Sequence, residues 1–324
     1  MRQVRSRVWF GRSMSLFLTI VAVACGADGG TPTPEETAPQ PTASPTSTPP
    51  DGSYSALIAA SEFVVGENRF PFGLVADDGA FLDAATVVVR FYALDGSVGE
   101  LLAQESGVWR TLEGLALPHE HADGTVHLHL DFRGVYVVDP VTLPKPGPWA
   151  AQFQVSGIEG SPLVKTVTFV VDAEPTAPGL GERVPATRNA TIHDVESFAD
   201  LSTREVADHM HELSVAQALG TGRPFVVLFS SPQFCVSAMC GPITNEIAAV
   251  SEQFLGRADV IHIEPWDLDA ARNEGRLVRS AEMAEWKLVT EPWTFVVGAD
   301  GRVARRFEGL VTREEVAAAL EPLL

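Results

Sequence analysis

The chain has 324 residues, 45% of them apolar, enough for real cores and, by length, for two folded domains beside targeting or linker sequence. Its formal net charge of −19 argues against a nucleic-acid partner, because phosphate binding needs a basic surface. There are only three cysteines, so their positions matter more than their number.

The N-terminal stretch reads as an export signal. Arg2, Arg5, Arg7 and Arg12 make a positive region, and residues 14–24 (MSLFLTIVAVA) make an apolar run. That run is shorter than the roughly 20 residues a membrane span needs. It ends in Ala22-Val23-Ala24-Cys25, which resembles the lipobox of bacterial lipoproteins. The resemblance implies a signal peptide over residues 1–24 and lipidation of Cys25 as the mature N-terminus. The alternative is an ordinary secretory signal with a chance cysteine. Residues 25–52 contain almost nothing to bury and are expected to be a disordered Pro/Thr-rich tether. Anchor and tether together predict a body held at the membrane in the cell envelope. It would lie outside the cytoplasm, where a disulfide can persist.

Residues 53–174 follow an all-β pattern. Residues 86–92 (TVVVRFY), 134–138 (GVYVV), 149–155 (WAAQFQV) and 164–171 (VKTVTFVV) are β-branched and aromatic runs, punctuated by turns such as Pro146-Gly147-Pro148. Short strands at regular spacing suggest a small β-sandwich. The stretches GENRFPFGL and GVYVVDPVTLPKPGPW resemble immunoglobulin-like domains of bacterial envelope proteins. Residues 175–190, rich in Pro and Gly, are expected to be a linker.

Over residues 191–324 the pattern alternates β and α. Ser214 with Gln217 makes a capping box for a short helix. Residues 225–229 (FVVLF) form the continuous apolar run of a strand buried on both faces. Ile243, Ile247, Val250 and Phe254 recur at helical spacing. A second strand at 260–263, a helix at 281–288, and strands at 293–297 and 303–307 around the turn Ala299-Asp300-Gly301 follow. Thr312 with Glu315 caps the last helix. The order β-α-β-α-β-β-α resembles the thioredoxin fold. The fold class expected is therefore an α/β thioredoxin-like C-terminal domain preceded by an all-β immunoglobulin-like sandwich.

Three places carry that resemblance. Cys235 and Cys240 lie just after the buried strand, in SSPQFCVSAMCGP. Pro292 heads the third strand, where the resemblance implies a cis proline packed on the dithiol. Gly301 and Gly309 bracket the last hairpin. A thiolate is the reactive form of cysteine, and a helix N-terminus stabilises it. The resemblance implies thiol–disulfide exchange with exported proteins or a membrane electron donor. It also implies Cys235 as attacker, Cys240 as resolver and Pro292 shaping the substrate groove, and it requires no cofactor. Thioredoxins space the pair C-x-x-C, however, and here four residues intervene. Copper chaperones of the Sco type, with C-x-x-x-C before a proline, are loosely similar, and that similarity implies copper binding. If Pro242 is the first helical residue, Cys240 sits at the cap. If the helix starts near Ser237, Cys235 is the exposed sulfur. His262, on the neighbouring strand, could move protons, ligate a metal, or simply be a satisfied core residue. The remaining reading of the pair is an inert staple in a non-catalytic binding or scaffold protein.

A second constellation holds half of the eight histidines. His119, His121, His127 and His129 form two H-x-H pairs around Ala122-Asp123-Gly124. Residues two apart share a strand face. A two-residue turn puts the pairs on opposite faces, whereas a three-residue loop faces His119 with His127 and could build a copper or zinc site. The plainer reading is a polar exposed hairpin.

Overall fold

The computed structural model describes residues 54–77, 79–83, 85–96, 98–112, 119–120, 126–127, 134–157, 162–235 and 239–324, all within one unit spanning 49–324. The signal segment 1–24, Cys25, the tether 25–52, His121 and His129 lie outside the described residues. Among the described residues no helix is long and apolar enough to cross a membrane.

Alternating burial explains the first sheet. β1 (Tyr54–Ile58), β2 (Gly66–Ala76), β3 (Thr86–Asp95) and β4 (Val98–Thr111) come first. After the two-residue pair β5 (His119–Glu120) and β6 (Val126–His127) come β7 (Gly134–Leu143), β8 (Gly147–Ser156) and β9 (Leu163–Val171). Along β3, Val87, Val89, Phe91 and Ala93 are buried while their neighbours are not, the period of two expected of a strand with one wet face. Seven strands pair antiparallel in the order β1-β2-β7-β4-β3-β8-β9. Bulges at Asn68/Phe70 and Phe91/Tyr92 accompany the bending of these long strands. The two ends of the sheet approach each other: the Tyr54 hydroxyl donates to the Phe153 carbonyl, and Val64 bridges Asp172. Phe70, Phe72, Phe91, Trp149 and Phe153 fill the interior.

The second sheet has the order β11-β10-β12-β13. After the one-turn α1 (Val215–Ala218) come β10 (Phe225–Phe229), α2 (Cys240–Gln253), β11 (Asp259–Ile263), α3 (Leu268–Glu274), α4 (Ala281–Glu285), β12 (Trp293–Val297), β13 (Val303–Glu308) and α5 (Arg313–Leu320). β10 is parallel to β11 and antiparallel to β12. Val226 and Leu228 face α2 through Ile243, Ile247, Val250 and Phe254, in a core that also takes Val135 and Val137 from β7. Phe225, Val227 and Phe229 face the other way, toward Val215, Met283 and Trp286. Both expected capping boxes are formed, at Ser214/Gln217 and at Thr312/Glu315.

The expected fold class is corrected on both counts. The described chain is mostly β, 40% strand and 20% helix, and not an α/β thioredoxin fold. Its helical segments other than α2 stop after one or two turns. The β-rich part is a single, nearly closed, barrel-like antiparallel sheet and not an immunoglobulin-like sandwich of two sheets. An alternating strand pattern says which residues point inward. It does not say whether one coiled sheet or two stacked ones enclose them.

Candidate functional site

The register of the second sheet gathers the site at one edge. Phe229 ends β10 opposite Trp293 at the start of β12, and beside Ile263 at the end of β11. The chain leaving β10 therefore emerges between the residues that precede β12 and those that follow β11. Ser230 and Ser231 are buried, Cys235 is half-buried, and Cys240 is fully buried as the first residue of α2. Pro242 falls at the third helical position, where its missing N–H is no loss because the first-turn amides have no partner inside the helix.

The Cys235 and Cys240 sulfurs lie 2.6 Å apart. The Cys240 N–H donates to Cys235 Sγ at 3.3 Å, while the N-cap residue itself, Met239, makes no side-chain cap hydrogen bond. The helix terminus thus addresses Cys235, the accessible sulfur, where a negative charge is favoured. Cys240 is in the opposite situation. Burial pushes its thiol far up, and its hydrogen bond to Cys235 and the charges of Cys235 and Glu291 push the same way. The Cys240 thiol lies 3.4 Å from Glu291 Oε2. One ligand atom each from Cys235, Cys240 and Glu291 lies within 4.8 Å of the others, a group able to hold a metal ion. The Glu291–Pro292 peptide is cis, and Pro292 is buried.

No protein-family model matches this chain, and no curated protein matches it. The chemistry of the site therefore rests on its own geometry.

His262 does not join the sulfurs. Its Nε2 lies 2.8 Å from the Ser230 carbonyl and its Nδ1 lies 2.9 Å from His211 Nε2. A carbonyl only accepts, so Nε2 carries the proton. The ring is neutral, its pKa lowered to about 3 by burial first and by His211 next, so Nδ1 accepts from His211. His211 Nδ1 in turn lies 3.0 Å from Asp208 Oδ1. Burial works against ionisation of Asp208, but its hydrogen bond to His211 and the nearby Arg204 hold its carboxyl below the ordinary range. Two residues on from His262, just past the end of β11, burial raises Glu264, partly offset by hydrogen bonds from Ser231 and Thr203.

Of the residues singled out in the sequence, the structure brings Cys235, Cys240 and the strand head at Pro292 to one edge. In the other constellation, the backbone register pairs His119 with His127. Glu291, Asp208, His211 and Glu264 were not anticipated. Glu291 carried a signal in retrospect, since it directly precedes Pro292, but its approach to Cys240 is tertiary.

Proposed function

We propose that the protein is a membrane-anchored, extracytoplasmic thiol–disulfide exchange protein, with Cys235 as attacker and Cys240 as resolver. One observation carries this reading: an accessible sulfur receiving a helix-terminal N–H stands 2.6 Å from a fully buried second thiol. The Cys235 thiolate attacks a partner disulfide, forming a mixed disulfide and releasing one partner thiolate. The Cys240 sulfur then attacks Cys235 Sγ, closing the internal disulfide and releasing the second partner thiol as its own proton departs. Two electrons pass to the partner. Run backwards, the same steps oxidise a dithiol. Partners of this chemistry are thiols or disulfides of exported proteins, or a membrane electron donor, reached from a lipid anchor at Cys25.

The deciding experiment uses the full chain with Cys25→Ser, equilibrated against glutathione and dithiothreitol buffers. A potential between about −270 and −120 mV is that of a working exchange protein. One below about −300 mV marks a structural staple and rejects the reading.

The thiolate–carboxylate group supports a second reading, a site for copper or zinc formed by Cys235, Cys240 and Glu291. Two soft sulfurs and one oxygen suit copper(I) or tetrahedral zinc with one position open. Anaerobic titration of the reduced protein with each metal tests it. Affinity weaker than about micromolar rejects this reading.

A further inference from the structure

Two runs of hydrogen bonds, joined through the residue Ser230, link a half-buried acid to the first residue of α2. Asp208 Oδ1 accepts from His211, His211 Nε2 donates to His262, and His262 Nε2 donates to the Ser230 carbonyl. The second run starts at the Ser230 hydroxyl. Thr244 Oγ1 donates to the Cys240 carbonyl at 2.6 Å, so the 2.7 Å contact between the Ser230 and Thr244 hydroxyls must have Ser230 as its donor. Ser230, His262 and Thr244 are all at most 3% exposed. A second strap starts two residues along from His262. Glu264 Oε1 accepts from the Thr203 amide and hydroxyl, both at 2.7 Å, and Thr203 Oγ1 accepts from the Gln233 amide.

These ties do not touch either sulfur, yet they fix both ends of the segment that places them. His262 holds the residue where the chain leaves β10, and Thr244 locks that residue to the carbonyl of Cys240. Glu264, through Thr203, holds Gln233, two residues before Cys235. The buried His211–His262 pair is a costly way to fasten the helical turn 209–211 to β11, because apolar side chains of similar volume would pack there without desolvation. The pair does something apolar packing would not: it gives directional control of one carbonyl.

We infer that His262 is a positioning residue for the exchange reaction, setting through Ser230 and Thr244 the placement of Cys235 against the N-terminus of α2. The inference rests on the exchange reading. It fits an arrangement in which reactivity depends on a 3.3 Å contact that a displacement of about 1 Å would break.

The test uses the full chain with Cys25→Ser and compares His262→Leu, His262→Gln and Thr244→Val. Each reduced protein is mixed with dithiobis(nitrobenzoate), the rate of mixed-disulfide formation at Cys235 is followed, and circular dichroism checks folding. His262→Leu should slow the reaction about tenfold or more. His262→Gln, which keeps a donor for Ser230 and an acceptor for His211, should recover to within about threefold. Thr244→Val preserves volume, cuts the chain at its other end, and should slow the reaction similarly; it decides the matter if His262→Leu does not fold. A purely structural role would lower the melting temperature and leave the rate alone. Folded Leu and Val variants reacting within about twofold of the parent would overturn the inference while the exchange reading stood. A parent protein whose Cys235 does not react at all would overturn both.

Discussion

The amide of Cys240 points at the sulfur of Cys235, 3.3 Å away, at the start of a 14-residue helix. An amide in the first helical turn has no carbonyl four residues back, so it is available to an acceptor outside the helix. Here the acceptor is the more exposed of two sulfurs, while the residue donating the bond has its own thiol sealed beneath it. One helix end thus creates an electronic difference between two otherwise identical groups. It favours the thiolate on Cys235, and burial favours the neutral thiol on Cys240.

That asymmetry predicts selective labelling. Brief iodoacetamide treatment of the native, reduced protein should modify Cys235 at least about tenfold faster than Cys240, read by mass spectrometry of the digested chain. In denaturant the two rates should converge. Cys240→Ser should keep the fast site, and Cys235→Ser should lose it. Equal native rates, or a faster Cys240, would show that the helix terminus does not govern reactivity here.

The buried His262 predicts a pH dependence. Its folded pKa, about 3, is depressed below the ordinary histidine value of about 6.5. Between those values the unfolded chain binds a proton that the folded chain does not. Stability from this group is therefore complete above about pH 6.5 and is lost as pH falls toward 3. Glu264, raised by burial, contributes with the opposite sign, so the whole protein's profile mixes the two. Comparing parent with His262→Gln isolates the histidine: urea unfolding should show their stability difference shrinking steadily from pH 6.5 to pH 4. A constant difference would mean that His262 is charged in the folded state.

How far the sequence reveals this site depends on the range of the interactions. The run of residues 225–229 announced a strand buried on both faces because every residue in it is apolar, and all five are buried. Both capping boxes were legible because their partners are three residues apart. The cysteine pair was legible for a similar reason. Glu291 meets Cys240, and His262 meets His211, across 51 residues in each case. No local period encodes such a meeting; it follows from the register that sets Phe229 between Ile263 and Trp293. Strand β4 shows another limit. Its residues are mostly exposed or half-exposed, and its sequence, VGELLAQESGVWRT, shows little alternation, so its place in the centre of a coiled sheet was hidden.

Gly309 gives a sharper test of local geometry. Its φ is +75°, and a Cβ built there would stand 2.3 Å from the Ala59 carbonyl oxygen, a backbone atom with little freedom to withdraw. Alanine at this position meets both a left-handed backbone and a collision, so Gly309→Ala should cost about 2 kcal/mol or more. Thermal unfolding should register a loss of several degrees. A change within about 0.5 kcal/mol would show that the segment around Ala59 is free to move aside.

Arg69 and Glu315 offer a last test, because the carboxylate serves two structures at once. The guanidinium, only 6% exposed, reaches from β2 to Glu315 through two bonds of 2.9 and 3.1 Å. The same carboxylate accepts the Thr312 amide at 3.0 Å and closes the capping box of α5. Arg69→Met strands a nearly buried charge and should cost about 3 kcal/mol. Glu315→Gln alone strands the arginine instead, with a loss of similar size. Combining them removes both charges, while glutamine still accepts from Thr312. The double variant should therefore recover well over half of the single losses, leaving a coupling of about 2 kcal/mol in urea unfolding. Additive losses would mean that solvent already screens the pair and that the contact between β2 and α5 rests on packing alone.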